Sequence, residues 1–279
     1  LNDASGNQWE LSVLGDIYSE MTGVSTVSAD NSPALNAAIN GAYRKTEGSV
    51  YTWAGVYLFA SSIIPKNGVS LIGSCSNLQI ESAFTGANGA QPDNSTVFKS
   101  TSAITTQLIH FDFTLSDRAA RPYNTKLVNL FLDGTDQASG DGVATTPPIA
   151  AEGVFNNGVA GRAIKLEGIT LTFFPRNGIR NVNTANTRVT FDMDFTRVAF
   201  SGEDNVYMDF AYDPHITNSA FYAARNGSNF FHTRCAGIRF NLCDFFLAEK
   251  GNRAYSGNGI TDDSLGCIYN LCFIDNNYG

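Results

Sequence analysis

Phe240-Asn241-Leu242-Cys243-Asp244-Phe245 and Tyr269-Asn270-Leu271-Cys272-Phe273-Ile274 share one spacing of apolar residues and repeat Asn-Leu-Cys letter for letter. Four earlier segments carry the same spacing: Leu127 to Leu132, Leu166 to Leu171, Phe195 to Phe200 and Ile216 to Phe221. Mostly apolar side chains stand at positions 1, 4 and 6. The step from 1 to 4 breaks the two-residue alternation of a strand, and the step from 4 to 6 restores it. A straight strand cannot keep one face inward across that phase shift, whereas a corner between two short strands can. Successive corners lie 39, 29, 21, 24 and 29 residues apart, within the ~20–45 residues of a solenoid unit. Short strands whose corners stack make a parallel β-helix. A β-sandwich is the alternative reading, but it does not repeat one phase-shifted corner six times. The pattern predicts an all-β chain with Leu130, Ile169, Val198, Ser219, Cys243 and Cys272 in one inward stack.

Upstream of the repeat, short apolar runs at 50–51, 56–59, 69–72, 78–80 and 108–113 read as strands between Gly, Asn, Asp and Ser clusters. Before them stands one amphipathic helix, expected over 33–45. Asp30-Asn31-Ser32 offers its N-cap, Pro33 suits the first turn, and Leu35, Ala38, Ile39 and Ala42 follow at helical spacing. Its apolar face needs a cover, which the open end of a β-stack supplies. Residues 1–28 read as an arm, with one strand at Trp9–Leu14, and residues 29–279 as the β-helix domain. The Gly/Ala/Pro/Thr-rich stretch 133–163 reads as a long insertion and the wall of a groove.

The chain has 279 residues, 18 basic against 26 acidic, for a net charge of −8. An acidic surface repels phosphates, so no nucleic-acid partner is expected. No apolar run reaches the ~18–20 residues a membrane helix requires, so no membrane partner is expected. Five cysteines without a C-x-x-C pair argue against a disulfide framework or a zinc ribbon and for buried thiols. Phosphate-loop, serine-elbow and zincin motifs are missing, so no cofactor or metal is expected. Asp133, Asp136 and Asp141 lack the spacing of a calcium loop.

The stretch Asp30–Ile39, followed by Gly48-Ser49-Val50, Gly55-Val56-Tyr57, Ile64-Pro65 and Gly68-Val69-Ser70-Leu71-Ile72-Gly73, resembles the entry to pectate-lyase-like right-handed parallel β-helices. There a capping helix precedes a Gly-Val…Gly-Tyr strand pair. Thr52-Trp53-Ala54 departs from the family pattern by replacing the usual Pro before the Gly. The arm, with Gly6-Asn7-Gln8-Trp9-Glu10-Leu11, is similar to linkers before such domains in bacteriophage tailspikes. The resemblance implies a right-handed helix with an N-terminal cap. It also implies a homotrimer and attachment to the phage tail or baseplate through a part before residue 1. The activity it implies is cleavage of a bacterial surface polysaccharide, capsule or O-antigen. A β-helix end needs a cap over its unpaired backbone, and Asp275–Gly279 after the sixth corner offers none, so further chain is expected after Gly279. A secreted cell-wall lyase or hydrolase of the same fold and a non-catalytic adhesin are the alternatives.

Aligning the residues before each corner sets out two outward columns. One reads Lys126, Lys165, Asp194, His215, Arg239; the other reads Asn124, Ala163, Asp192, Asp213, Gly237. Neighbouring strands lie ~4.8 Å apart and alternate residues along a strand ~7 Å apart, so Asp192, Asp194 and Asp213 are expected to form one acidic patch. Glycosidic cleavage needs one carboxylic acid and one carboxylate, and stacked carboxylates favour one protonated member. Asp192, Asp194 and Asp213 are therefore the candidate catalytic residues. His215 and Arg239 are candidates for holding the sugar, Arg through its planar fork. Tyr212, with Tyr207, Tyr222 and Phe230-Phe231, offers stacking surface, though some of these rings must be core. Solubilising outer-face charge is the bland explanation of the patch, and Pro214 sits inside the strand it needs. Glu203 and Glu249 read as turn carboxylates, and His110 and His232 as structural.

Overall fold

The computed structural model describes residues 16–43, 48–74, 94–114, 120–146, 163–182, 190–209, 211, 213–246, 258–265 and 267–275. Among the described residues every strand pairing is parallel, and the strands fall into three sheets. The first runs Ile17–Tyr18, Ser49–Tyr51, Ser70–Ile72, Lys126–Val128, Ala163–Glu167, Thr190–Asp194, His215–Thr217, Arg239–Asn241, Ile268–Asn270. The second runs from Gly55–Phe59 through Thr96–Ser100, Phe131–Asp133, Thr170–Thr172, Arg197–Ala199, Ala220–Tyr222 and Asp244–Phe246 to Phe273–Asp275. The third runs from Gln107–Asp112 through Asp141–Thr146, Ile179–Val182, Val206–Asp209 and Ser228–Ala236 to Asn258–Leu265. Each coil from Ser70–Ile72 to Asn258–Leu265 contributes one strand to each sheet. The chain is a right-handed parallel β-helix with a helical cap.

The sequence corner is the junction of the first and second sheets, and one left-handed residue makes it. Asn129, Gly168, Phe195, Asn218, Leu242 and Leu271 all have φ between 48° and 63°. A single such residue turns the chain without spending a loop, which produces the 1-4-6 phase shift. The next residue points inward: Leu130, Ile169, Thr196, Ser219 and Cys243 are buried, and Cys272 packs against the core. Where that residue is Ser, Thr or Cys, its side chain bonds back to the carbonyl two residues earlier. Ser219 Oγ reaches Thr217 O at 2.7 Å and Cys243 Sγ reaches Asn241 O at 3.5 Å. The third segment is corrected by two residues, because Met193 rather than Phe195 pairs with Ile216. Thr196 therefore occupies the stack, and Val198, also buried, belongs beside Leu171 and Phe221. Phe195 is the corner residue itself and is 49% exposed.

The three sheets meet on aromatic side chains. Phe221 and Phe245 of the second sheet stack at 5.2 Å, and Phe230 of the third and Phe240 of the first meet edge-on at 4.9 Å. Such pairs add about 0.5–1.5 kcal/mol each to their burial. At the N-terminal end the helix is Ser32–Tyr43, and its Leu35, Ala38, Ile39 and Ala42 are fully buried. It packs on Ile17–Tyr18 and Ser49–Tyr51. Asn36 ties it to the body, donating to Ser62 O at 3.1 Å and accepting from Ile64 N–H at 2.8 Å.

Ile17–Tyr18 is already a strand of the first sheet, although it falls in the stretch read as an arm. The Trp9–Leu14 strand, the 78–80 strand and helix residues 44–45 lie outside the described residues. The insertion read over 133–163 is corrected in part, since Asp141–Thr146 is a strand of the third sheet. Gly140 leads into it with φ 96°, its backbone against Thr106.

Candidate functional site

Strand pairing fixes what the first sheet presents to solvent. Inward stand Leu71, Leu127, Leu166, Met193, Ile216 and Phe240, all buried. Between them two outward columns run along the axis. The first is Lys126, Lys165, Asp192, His215, Arg239. The second is Val128, Glu167, Asp194, Thr217, Asn241. Asp192, not Asp194, thus aligns with His215. The two-residue slip at Phe195 had moved the aspartates one place along their strand.

The expected residues share one face. The His215 backbone N–H donates to Asp192 Oδ1 at 3.0 Å. Asp194 Oδ1 accepts from Thr217 Oγ1 at 2.7 Å and from Asn218 Nδ2 at 3.2 Å. Asp213 stands just before strand His215–Thr217 in the left-handed region, φ 53°, which Asp tolerates better than most residues. Its Oδ1 receives Arg239 Nη2 at 3.1 Å, and His215 Nε2 lies 3.7 Å away. Gly237, two residues before Arg239, holds φ 74° and lies against Asp213, where a Cβ would make an ordinary contact with its Oδ1 at 3.4 Å. Pro214 does not interrupt the ladder, because its carbonyl still accepts from Arg239 N–H at 3.0 Å. Tyr212 lies outside the described residues.

The pairing adds residues that sequence reading passed over. Glu167 is the register partner of Asp194, ~4.8 Å across the ladder, and pairs with Lys165 at 2.9 Å. The signal was present in Lys165-Leu166-Glu167, the alternating strand before an assigned corner. On the third sheet, Tyr207 and Phe231 stack outside at 5.2 Å, and the Arg180 guanidinium lies 6.0 Å from the Tyr207 ring. Phe230, by contrast, is core. Tyr222 stacks on Phe246 on the second sheet, and burial pushes its hydroxyl above the usual range.

The competing carboxylates have structural employment. Glu203 pairs with Arg176 at 3.2 Å in the turn between second and third sheets. Asp136 holds Lys99 at 2.9 Å, and Asp141 accepts from Asn177 N and Nδ2. His232 is fully buried with Nε2 3.3 Å from Tyr269 Oη, and burial lowers His110 below the usual histidine range. Cys235 and Cys243 are buried thiols, and burial pushes Cys243 up to about 12. Glu249 and Cys75 lie outside the described residues. Among the described residues no helix is long and apolar enough to cross a membrane.

Residues 24–137 match a family model described as rhamnogalacturonase A/epimerase, pectate lyase-like. The chain resembles ORF18 of Geobacillus virus E2 with a TM-score of 0.64 at 16% identity, over 92% of this chain and 48% of that one. The fold is a pectate-lyase-like parallel β-helix. The mannuronan C-5 epimerase AlgE6 A-module of Azotobacter vinelandii shares it, with a TM-score of 0.58 at 16% identity over 92% of this chain and 69% of that one. So does tailspike gp49 of Acinetobacter baumannii bacteriophage Fri1, a capsular polysaccharide depolymerase, with a TM-score of 0.58 at 10% identity over 93% and 50%. The chain spans about half the length of the first of these. No curated protein matches it. Within this pectate-lyase-like β-helix, the Asp192–Asp213 face lies on the first sheet.

Proposed function

We propose that this β-helix is a phage tailspike that binds and cleaves a bacterial surface polysaccharide, capsule or O-antigen, during host recognition. The observation that carries the reading is the outward-facing cluster of Asp192, Asp194, Asp213, His215 and Arg239 on one regular sheet, the first two half-buried and the last three exposed. At least two of the aspartates act in cleavage, one as the acid at the leaving oxygen and one on the opposite side as base or nucleophile. Arg239 and His215 hold the sugar, Arg239 suiting a carboxylate on an acidic polysaccharide. Thr217 and Asn218 fix the Asp194 carboxylate so that it is not free to rotate. A β-helix suits this work, because a linear polymer can lie along a ladder of evenly spaced side chains.

The tailspike reading carries a homotrimer, a place on the virion tail, and attachment through a segment outside residues 1–279. Support comes from the family match over 24–137 and from neighbours that include a phage depolymerase at 10% identity. The test is incubation with a panel of capsular and O-antigen polysaccharides, following reducing ends and the absorbance of unsaturated uronates. Reducing ends alone indicate hydrolysis, and both signals indicate a lyase. Binding without either makes the protein an adhesin, and no binding removes the reading.

A further inference from the structure

Far from the aspartates, the same outer face carries an aromatic group that the cleavage chemistry does not use. We propose that Trp53, stacked on Tyr18, is a remote subsite for a sugar ring of the polysaccharide, an inference that rests on the function proposed above. Trp53 is 59% exposed, the most exposed aromatic side chain among the described residues. Its ring lies nearly parallel to Tyr18, 13° and 5.4 Å between centroids, and Tyr18 in turn packs against Tyr51 at 5.7 Å.

The group is held rigidly. Glu20 Oε1 accepts from the Trp53 backbone N–H at 3.2 Å and from Tyr57 Oη at 3.1 Å. That contact fixes the corner from which the indole projects. A flat aromatic surface fixed in advance packs against the C–H face of a pyranose at little entropic cost, while its hydroxyls stay in water or meet polar neighbours.

Register connects this platform to the aspartates. Tyr18 pairs with Tyr51 and Tyr51 with Ile72; that outward column continues through Val128 and Glu167 to Asp194. Four ladder steps separate Tyr51 from Asp194, a span of ~19 Å at ~4.8 Å per step. Lys126 and Lys165 point outward between them. One polysaccharide strand lying along the axis meets the platform and the cleavage cluster together, and a short fragment reaches only one. A subsite so placed adds affinity by linkage through the polymer.

The test uses whichever polysaccharide the wild-type protein cuts in a capsule and O-antigen panel, broken by mild acid into short and long fractions. Trp53→Ala is expected to raise KM about tenfold on the long fraction with kcat held, and to match wild type within about twofold on the short fraction. Trp53→Phe, which keeps a ring on Tyr18, recovers most of the loss. Equal KM for Trp53→Ala and wild type on the long fraction overturns the subsite, as does an equal loss on both fractions. A wild-type protein that cuts nothing in the panel overturns the proposed function instead, and the subsite with it.

Discussion

Arg239 Nη2 and Asp213 Oδ1 meet at 3.1 Å across adjacent coils, with side chains 55% and 60% exposed. An ion pair so exposed contributes about 0–1 kcal/mol to stability. Its value lies in what it presents to solvent: a planar donor fork beside a carboxylate. Arg239→Ala is therefore expected to leave the melting temperature within a degree or two while raising KM at least about tenfold. Arg239→Lys should not restore KM, because an ammonium lacks the fork. Thermal unfolding and steady-state kinetics on the cleaved polysaccharide check both. A large stability loss with unchanged KM would make the pair structural.

Gly140 tests how the third sheet is stacked. A Cβ there would lie 1.4 Å from Thr106 O, and its φ of 96° is unfavourable for any side chain. Gly140→Ala is expected to cost roughly 3 kcal/mol or more and to appear as a lower denaturation midpoint in urea. Wild-type stability would mean that the two coils are not in contact here.

Leu242 is expected to respond in the opposite sense. It holds a left-handed corner at φ 53° where other coils use Asn129, Gly168 and Asn218, and it is half exposed. A left-handed L-residue costs roughly 1–2 kcal/mol. Leu242→Asn should therefore raise stability by about 0.5–1 kcal/mol, read as a higher melting temperature. A drop would mean that the exposed Leu side chain is packed against something in the assembled protein.

Asp30 carries an acid dependence. Burial alone would raise its carboxyl, but hydrogen bonds from the Ser32 side chain and from the Ala60 and Ser32 N–H groups outweigh it and hold the group below the usual value. A lowered folded-state pKa contributes stability that is complete above the unfolded value of ~3.9 and is lost as pH falls through the folded value. Asp30→Asn should lower stability near neutrality, where the ionised carboxylate contributes in full, and make the stability curve shallower below that pH. An unchanged acid limb would remove Asp30 from the cap.

The fold was legible because its signal is covalently local. One left-handed residue per coil shifts the phase of an apolar pattern, and the core demands the pattern again at each turn. Third-sheet strands were harder to read, since the turns leading into them vary in length and Asp141–Thr146 hides in a Gly- and Thr-rich stretch. The slip at Phe195 has a plain cause: an apolar residue on an exposed corner imitates an inward one. That slip carried Asp194 into the wrong column and hid Glu167 as its neighbour. Asp213, Arg239 and His215 were gathered correctly because their two coils follow one another with equal strand lengths. The Trp53 platform was illegible, since Tyr18 sits in a stretch read as an arm.

The central claim is that the first-sheet aspartates cut a polysaccharide, and single-turnover cleavage by Asp192→Asn, Asp194→Asn and Asp213→Asn proteins tests it most directly. The account predicts that at least two of the three lose several orders of magnitude, about 10²–10⁴-fold or more, while binding stays within about threefold. Glu203→Gln, whose carboxylate serves the Arg176 turn, should cut at the wild-type rate. Full cleavage by both the Asp192→Asn and Asp213→Asn proteins would contradict the account and move the chemistry off this face.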